Sequence, residues 1–367
     1  MRRALIVDSK ASSCFFRSSV QPPARKAIVQ ITERCNLHCA HCFVSAESVG
    51  HSMELSQVRS TLIPRLQECG VISVTLTGGE PFVHPEIIEI IRLFRDAGIR
   101  VGVCTNATLI KAEHLEALID IGDVHFNVSL DGFRPESHGR FRGAPESFYT
   151  TVETIKFLGG TGLLQGLLVT PNNLAQPDEY REICEFAASV GAEYVLMNPL
   201  SSFGRGVRSK NKLQADRRTM NQIRELTLPF RNRLDVTYIR FPNHDLPLSG
   251  CEAKSILYVF ANGDVTVCPY LVFAARVPGS AFEPGEFIPG NIFADLDIAE
   301  RVERYRFEEH YRPVAHPTCR GCHLSSTCGK GCPAAAIADG ARAGEPDWAL
   351  CPASLVVRGE EDHAAEG

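Results

Sequence analysis

Short runs of β-branched and aliphatic residues alternate with amphipathic stretches from residue 28 to residue 197. Apolar runs bounded by turn residues predict buried strands, and apolar residues that recur every three or four positions predict helices. Strands that alternate with helices at this spacing form parallel βαβ units. The predicted strands lie near 28–31, 72–76, 99–103, 124–128, 163–169 and 194–197, and the predicted helices near 55–69, 85–97, 112–121, 147–158 and 178–190.

This alternation predicts an α/β fold with a partial (β/α)6 TIM-like barrel, and the distribution of cysteines predicts a small cysteine-rich domain after it. Active sites of such barrels lie at the C-terminal ends of the strands. After residue 198 the alternation fades, with one strand expected near 236–240, and Asn262-Gly263 is typical of a hairpin turn. We therefore expect a loosely held lead-in at 1–27, the barrel at 28–240, the cysteine-rich domain at 250–355 and a frayed tail at 356–367.

The size and charge of the chain exclude several classes of protein. Its 367 residues suffice for one large domain and a smaller one. A net charge of -5 provides no basic field for a phosphate backbone, and we interpret the basic clusters 205–212 and 231–233 as solvated faces. No segment reaches the roughly 18 apolar residues that a membrane helix needs, and no signal sequence is evident. We expect a cytoplasmic protein without a nucleic-acid or membrane partner.

The chain contains 14 cysteines, and their spacing is the strongest chemical signal in the sequence. Without an export signal, cysteines favour metal ligation over disulfides. Three form Cys35-x3-Cys39-x2-Cys42 directly after the first predicted strand. Seven lie near the C-terminus, and they are Cys251, Cys268, Cys319, Cys322, Cys328, Cys332 and Cys351. We interpret the remaining four, Cys14, Cys69, Cys104 and Cys184, as structural.

Three thiolates on one loop leave an iron-sulfur cluster with one iron that a substrate or cofactor can coordinate. A zinc site is the alternative, but structural zinc sites usually have four closed ligands, and this loop offers no fourth. For the block 319–332 a zinc ribbon also stays open, because thiolate spacing does not choose between zinc and iron. A multi-cluster electron carrier or a zinc scaffold is the corresponding non-enzymatic interpretation.

The loop Cys35-x3-Cys39-x2-Cys42 resembles the cluster loop of the radical S-adenosylmethionine (SAM) enzymes. The segment Thr77-Gly78-Gly79-Glu80-Pro81, after the second strand, resembles their GGEP motif. The resemblance implies that the three cysteines are catalytic and hold a [4Fe-4S] cluster whose open iron SAM chelates. It also implies that Gly78, Gly79, Glu80 and Pro81 bind SAM, with glycines that let the backbone approach a ligand and a carboxylate that pairs with the SAM ammonium.

Polar residues at later strand ends extend this resemblance. Asn106 and Ser129, in Thr105-Asn106 and Ser129-Leu130-Asp131-Gly132, resemble segments that contact the ribose and carboxylate of SAM. Arg142 resembles an arginine that pairs with the SAM carboxylate, and Arg140 is an alternative. All of these could instead be capping, turn or surface residues. Asn173 and Gly204-Arg205-Gly206 also fit the family pattern, with less specific roles.

The C-terminal cysteines resemble the seven-cysteine pattern of the SPASM domain, which holds two auxiliary [4Fe-4S] clusters. The resemblance assigns Cys319, Cys322, Cys328 and Cys351 to one auxiliary cluster, and Cys251, Cys268 and Cys332 to the other. Some relatives have a further cysteine shortly after the first of the seven, but none lies between 252 and 267 here. The second cluster would then keep an open iron, bind substrate, or use Asp264 or another non-thiolate ligand.

The resemblance implies an enzyme that reductively cleaves SAM and uses the 5'-deoxyadenosyl radical to abstract a hydrogen from its substrate. The leading substrate class is a ribosomally made peptide that matures by crosslinking, oxidation or epimerisation. The alternative is dehydrogenation or epimerisation of a small metabolite, in natural-product or tetrapyrrole tailoring. Expected partners are an electron donor such as flavodoxin or ferredoxin and a separate leader-binding protein, since the lead-in is too short to form such a domain. Pro269 after Cys268 disfavours sulfatase maturation, because that branch has an aspartate there.

Overall fold

A single sheet organises the fold. The computed structural model describes residues 8–15, 20–21, 23–251, 253, 256–311, 316–342 and 344–353. Ten strands within these ranges form the sheet, and they are β1 (Arg25–Thr32), β2 (Val71–Gly78), β3 (Arg100–Thr105), β4 (Val124–Ser129), β5 (Leu164–Val169), β6 (Tyr194–Met197), β7 (Asp235–Tyr238), β8 (Ile256–Val259), β9 (Asp264–Thr266) and β10 (Gly290–Asn291). Their order is β10-β9-β8-β1-β2-β3-β4-β5-β6-β7. The strands from β8 to β7 run parallel, so the predicted α/β class is confirmed.

Helices connect these strands. They are α1 (Leu55–Gln57), α2 (Ile63–Glu68), α3 (Ile87–Asp96), α4 (Ala112–Ile121), α5 (Ser147–Gly160), α6 (Pro177–Ser189), α7 (Gly206–Leu213), α8 (Arg217–Thr227), α9 (Pro269–Ala275), α10 (Ile298–Arg304), α11 (Pro317–Arg320) and α12 (Pro333–Ala338). Apolar residues at helical spacing explain their packing, as in α3, which buries Ile87, Ile90, Ile91 and Phe94. No helix in the described part is long and apolar enough to span a bilayer.

The predicted elements recur with small changes at their ends. Strand β6 and helix α4 have the predicted bounds, and the other predicted strands shift by a few residues at most. The helix predicted at 55–69 is instead two short helices separated by a π-helical turn, Val58–Leu62. Pro64 lies just after that turn, and it has no N–H with which to continue an α-helical ladder.

The cysteine-rich part of the chain shares its sheet with the barrel. Strand β8 pairs in parallel with β1, and the predicted turn at Asn262-Gly263 joins β8 to the antiparallel β9. Gly263 has a φ of +91°, a backbone conformation that a side chain would oppose. The domain boundary near 250 stays a prediction, but the strand that follows it extends the barrel sheet.

Part of the lead-in is fixed to the rest of the protein, so the expectation of a loosely held segment is wrong for residues 11–15. The Ala11 N–H donates to the carbonyl of Pro247 at 2.9 Å, and Ser13 is fully buried. The ring of Phe15 stacks on Tyr270 with centroids 4.5 Å apart. Sequence periodicity could not indicate this, because the segment pairs through one isolated bridge rather than a strand. The predicted tail at 356–367 lies outside the described residues.

Candidate active site and cysteine cavities

The three cysteines of the first motif lie on the loop that follows β1. Cys35 and Cys39 are buried and Cys42 is half-buried. The N–H of Leu37 donates to the sulfur of Cys35, and the N–H of Ala46 donates to the sulfur of Cys42, both at 3.4 Å. Burial, mainly, and the neighbouring acidic groups together raise the pKa of Cys35 to about 12, although the hydrogen bond from the Leu37 N–H opposes them. The thiol therefore ionises only when a metal replaces its proton.

Arg205, in the segment after β6, holds this loop from outside. Its Nε donates to the carbonyl of Cys39 at 2.8 Å, and its Nη1 donates to the carbonyl of Ala46 at 2.8 Å and to Glu47 Oε1 at 3.0 Å. The planar guanidinium can make these contacts together because its donors point in fixed directions. Arg205 thus fixes the main chain on both sides of the last cysteine.

Two basic clusters that we interpreted as solvated faces each contain one half-buried arginine, and the interpretation is wrong for these two residues. The side chain of Arg205 is 16% exposed. The side chain of Arg231 is 9% exposed, and it pairs with Asp8 at 2.9 Å. Sequence alone shows only the local charge density, whereas carbonyl and carboxylate partners far along the chain bury these two guanidinium groups.

The glycines of Gly78-Gly79-Glu80-Pro81 permit a close approach between the end of β2 and the cluster loop. A Cβ at Gly78 would lie 2.4 Å from the carbonyl oxygen of Thr32, and a Cβ at Gly79 would lie 2.3 Å from that of Arg34. The backbone after β1 thus leaves no room for a side chain at either glycine position. We expected the glycines to make room for a ligand, but the structure gives them a packing role. Their role toward SAM stays a prediction.

Glu80 connects the ends of β2 and β3. Its buried carboxylate accepts hydrogen bonds from Thr105 Oγ1 at 2.7 Å, the Asn106 N–H at 2.7 Å and the Phe82 N–H at 3.1 Å. Burial raises the pKa of Glu80, and these hydrogen bonds oppose the shift without cancelling it. A carboxylate has about four acceptor positions, so roughly one remains for a ligand.

Asn106 and Ser129 differ in how much of each side chain is already engaged. The Nδ2 of Asn106 donates to Asn36 Oδ1 at 3.0 Å, and its Oδ1 accepts from the Thr108 N–H at 2.9 Å. Asn106 therefore braces the cluster loop. Ser129 ends β4 half-buried, and within the described residues its hydroxyl has no hydrogen-bond partner. Of the two, Ser129 is more available to a ligand.

A buried ion pair lies beside the cluster loop. Arg142 Nε donates to Asp131 Oδ2 at 2.7 Å, and Arg142 Nη1 lies 4.0 Å from the sulfur of Cys39. Burial raises the pKa of Asp131, but the positive charge of Arg142, together with the hydrogen bond that the Thr170 N–H donates to the carboxylate, outweighs burial and holds this pKa below its usual range. Both groups are therefore ionised, and Arg142 presents positive charge to the cysteines. Arg140, the alternative, is exposed.

The half-buried His41 and the fully buried His138 face the same ion pair, and sequence reasoning did not select them. The ring of His41 stacks on Phe141 with centroids 4.2 Å apart. Burial lowers the pKa of His41 to about 4 and that of His138 to about 3. The Nδ1 of His138 accepts a hydrogen bond from the Asp131 N–H at 3.1 Å. Both rings are therefore neutral near pH 7.

The residue that supports Asp131 from β5 is Asn172 rather than its neighbour. Asn172 is buried, and its Nδ2 donates to the carbonyl of Asp131 at 2.9 Å. Asn173, which fits the family pattern, is exposed; its side chain donates to the carbonyl of Lys212 at 3.5 Å, and its N–H donates to the carbonyl of Leu213 at 2.9 Å. The doubled asparagine offers no sequence signal that would distinguish the two.

Four of the C-terminal cysteines line a common cavity. They are Cys319, Cys322, Cys328 and Cys351, the set assigned to one auxiliary cluster. Trp348 also lines this cavity, and its ring packs edge-on against His316 with centroids 4.8 Å apart. The structure thus brings this predicted set together around one space.

The other three predicted cysteines line a second cavity together with Cys14. The four sulfur-bearing residues there are Cys14, Cys251, Cys268 and Cys332. Cys14, which we interpreted as structural, thus lies beside the three predicted ligands. Asp264 does not line this cavity, because its carboxylate accepts hydrogen bonds from Asn262 at 2.8 Å and Asn291 at 3.0 Å in the β8–β9 turn. The alternative of Asp264 as a ligand is not supported.

A second buried ion pair adjoins this cavity. Asp347 Oδ2 accepts a hydrogen bond from the Cys332 N–H at 3.2 Å, and Asp347 Oδ1 accepts from Arg240 Nη2 at 3.0 Å. Burial raises the pKa of the Cys268 thiol well above its usual range, and the neighbouring thiols raise it further. Thiolates in this cavity therefore need a bound cation.

The donor sets of the loop and of both cavities consist of sulfur. Cysteine thiolates are the usual ligands of iron-sulfur clusters, and they also bind structural zinc. The residues present therefore fit such clusters, and the choice between iron and zinc stays a prediction.

Comparisons with known proteins agree with the geometry. The family model described as the radical SAM superfamily matches residues 29–187. The antilisterial bacteriocin subtilosin biosynthesis protein AlbA of Bacillus subtilis is 29% identical over 324 residues, which are 83% of this chain and 68% of AlbA. An AdoMet-dependent heme synthase of Methanosarcina barkeri is 33% identical over 190 residues, or 51% of this chain. This match spans about half of the heme synthase, 54% of its length.

Solved structures share the fold. The crystal structure of Streptococcus suis SuiB bound to S-adenosylmethionine superposes with a TM-score of 0.67 and 17% identity, over 89% of this chain and 77% of SuiB. Because the superposition covers most of this chain, the likeness extends beyond the region that the family model matches. At this identity it concerns the fold alone.

Proposed function

We propose that this chain is a radical SAM peptide maturase with a SPASM-type cysteine-rich region, and that it cleaves SAM reductively to modify a ribosomally made peptide. The main support is the extent of the match to AlbA, which covers 324 residues and so includes much of the chain outside the family model. AlbA is named for the biosynthesis of a bacteriocin, and SuiB was also solved bound to its precursor peptide SuiA.

The cluster loop and the strand ends beside it would form the SAM site. Cys35, Cys39 and Cys42 would hold a [4Fe-4S] cluster, and the surrounding residues proposed for SAM are Gly78, Gly79, Glu80, Pro81, Asn106, Ser129 and Arg142. When bound, the cluster supplies the electron that cleaves SAM and thereby yields the radical that abstracts a substrate hydrogen.

The protein's own contribution is positioning and charge. Arg142 is kept ionised by Asp131, so a guanidinium is available for the SAM carboxylate at no further cost of reorganisation. Ser129 offers a free hydroxyl, and Glu80 and Asn106 hold the strand ends and the cluster loop at a fixed distance. The neutral ring of His41 stacks on Phe141, and its Nε2 lies 4.0 Å from Asp131 Oδ2, so an uncharged side chain faces the ion pair.

A tetrapyrrole is the second candidate substrate, because the heme synthase match has the higher identity at 33%. That match covers only 51% of this chain, however. About half of this chain has no counterpart in the matched region of the heme synthase, so the match says nothing about how that half contributes to the choice of substrate. The longer match to AlbA favours the peptide.

The proposal includes the remaining partners and the location of the enzyme. Two auxiliary clusters would lie in the two cysteine cavities, where the donor sets suit iron. A flavodoxin or ferredoxin would supply the electron, and a separate protein would present the leader of the peptide. These partners, and SAM itself, are available in the cytoplasm.

The test is anaerobic reconstitution with iron and sulfide, followed by measurement of 5'-deoxyadenosine under a strong reductant. The protein is then incubated with short peptides encoded beside its gene or with an iron porphyrin, and each product is analysed by mass spectrometry. We expect SAM cleavage and a peptide that has lost two hydrogen atoms or exchanged one with solvent.

The control is the triple variant Cys35→Ala/Cys39→Ala/Cys42→Ala, which should lose SAM cleavage and retain auxiliary iron. Zinc without iron, or no cleavage by the iron-loaded wild type, would contradict the enzyme class. Modification of the porphyrin and of no peptide would instead favour the second candidate.

A further inference from the structure

Three distant segments pair side by side next to the second cysteine cavity. Residues 247–249 lie in the middle, with 11–13 on one side and 329–331 on the other. On the first side, Ser249 N–H donates to the carbonyl of Ala11 at 2.9 Å, and the Ser13 hydroxyl donates to the carbonyl of Ser249 at 3.0 Å. On the second side, Gly329 N–H donates to the carbonyl of Leu248 at 2.8 Å. The pairing fixes the register of all three segments.

Each of these segments continues into a cysteine. Cys14 follows Ser13, Cys251 follows Gly250, and Cys332 follows Gly331. The outer and central segments approach closely, since a Cβ at Gly329 would lie 2.3 Å from the Gly250 nitrogen. The three thiols therefore enter the cavity from neighbouring chain segments, and Cys268 enters it from the start of α9.

The residue after Cys14 fixes the segment from the other direction. The ring of Phe15 is buried, stacked on Tyr270 at 4.5 Å and packed edge-on against Phe203 at 5.6 Å. The guanidinium of Arg240 lies 5.4 Å above the same ring. Because Ser13 and Phe15 are both held, Cys14 between them has little freedom to leave the cavity.

We propose that Cys14 is the fourth ligand of the auxiliary cluster that Cys251, Cys268 and Cys332 would hold. The inference rests on the auxiliary clusters of the proposed function. On iron binding the Cys14 thiol would release its proton to solvent and bind as thiolate, as the other three do. A cluster with four thiolates is a closed electron carrier. This cluster then exchanges electrons with the reaction and does not bind the substrate.

The test uses the Cys35→Ala/Cys39→Ala/Cys42→Ala variant, in which the proposed SAM cluster is absent and only auxiliary clusters remain. With Cys14 intact, every remaining cluster has four thiolates. An iron without a thiolate dissociates on mild oxidation and leaves a three-iron cluster with a characteristic EPR signal. We therefore expect no such signal after mild ferricyanide treatment, and a gain of this signal when Cys14→Ala is added. Iron content should fall by about one atom per chain in the oxidised Cys14→Ala protein.

The matched control is Cys184→Ala in the same background, since Cys184 is fully buried in α6 and far from the cavities in sequence. It should give no three-iron signal. A second measurement needs no change at Cys14: the triple variant with Cys14 intact should bind no carbon-13 cyanide, as judged from hyperfine coupling to the reduced clusters.

Cyanide binding to that protein, or an equal three-iron signal with and without Cys14, would overturn the assignment. Absence of iron from the triple variant would overturn it as well, because there would be no auxiliary cluster to ligate. None of these measurements involves SAM or substrate. SAM cleavage by the wild type therefore judges the proposed function separately.

Discussion

The cluster loop and the second cysteine cavity both collect thiols, but they do so by opposite means. The loop takes Cys35, Cys39 and Cys42 from eight consecutive residues and is braced from outside by Arg205. The cavity takes its four thiols from segments spread over almost the whole chain, brought together by backbone pairing and by α9. The ligands of the loop are thus close together in sequence, and the fold only adjusts their positions. The ligands of the cavity come together only when the chain is folded.

The cluster loop and the second cavity also differ in the charge that lies next to their cysteines. Each has one buried Arg–Asp pair, but the partner that meets the cysteines differs. At the loop, the cation Arg142 lies 4.0 Å from the sulfur of Cys39. At the cavity, the anion Asp347 accepts the N–H of Cys332 at 3.2 Å. The first pair can serve an anionic ligand such as a carboxylate, whereas the second orients the backbone of a cysteine.

The largest expected effect comes from breaking each pair. Arg142→Met and Arg240→Met would each leave a buried aspartate without its cation, which costs about 3–5 kcal/mol of stability. Arg142→Met should lose SAM cleavage while auxiliary iron is retained. Arg240→Met should lose auxiliary iron first. Thermal midpoints, iron content and 5'-deoxyadenosine yield measure the three effects.

The control also removes the charge of Asp131, the carboxylate that Arg142→Met leaves without a cation. Arg142→Met/Asp131→Asn should regain most of the lost thermal stability and still fail to cleave SAM. If cleavage returns with stability, Arg142 has only a structural role, and the contrast between the two pairs disappears.

Substitutions at two separate glycines test whether the cluster loop depends on its close contact with the segment after β6. Gly204 has a φ of +53°, and a Cβ there would lie 2.5 Å from the carbonyl oxygen of Cys42. Gly204→Ala should cost about 2–4 kcal/mol and lower the iron content of the loop, because strain and overpacking add. Gly191→Ala is the matched control, with a φ of +76° and no atom within 4 Å. Equal losses in both variants would mean that backbone strain alone is responsible.

Acid should weaken the loop region through His138. Its pKa in the folded protein is lowered to about 3 by burial, mainly, and by the Arg142 charge. The stability it contributes is complete above the unfolded pKa of roughly 6.5 and is lost as pH falls from there toward the folded value. At pH 5 the loss is about 2 kcal/mol. His138→Asn keeps an acceptor for the Asp131 N–H and should show a smaller drop in thermal midpoint between pH 7 and pH 5 than the wild type.

The smallest expected effect concerns the brace itself. Arg205→Lys keeps the charge but cannot reach the carbonyls of Cys39 and Ala46 together, so we expect a loss of about 1–2 kcal/mol and faster loss of iron from the loop. Arg208→Lys, at an exposed neighbour, is the control. If both variants release iron at the wild-type rate, the loop does not depend on Arg205 to hold its metal.

Features that are local in sequence, like the cluster loop, could be predicted, whereas features that join distant segments, like the cavity, could not. Periodicity indicated β6 and α4 to the residue, because a strand or helix records its pattern in neighbouring positions. The spacing of the three loop cysteines is local as well. The position of Cys14 beside three distant cysteines was not predicted, because the pairing that brings its segment there is a single bridge between Ala11 and Leu248. Asp131 and Arg205 lie in segments that fit the family pattern, but the ion pair of Asp131 and the contacts of Arg205 with the cluster loop depend on tertiary structure, which sequence does not show.

The pairing of 11–13 with 247–249 and 329–331 also has a consequence for synthesis of the protein. The first of these segments leaves the ribosome long before the last, so the newly made N-terminus has to stay reduced and unpaired until the C-terminal cysteines emerge. A cluster that joins all three would then act as a cross-link across very long loops, the kind whose closure removes the most entropy from an unfolded chain. Cells starved of iron should accumulate this protein as a substrate for proteases rather than as an inactive but folded enzyme.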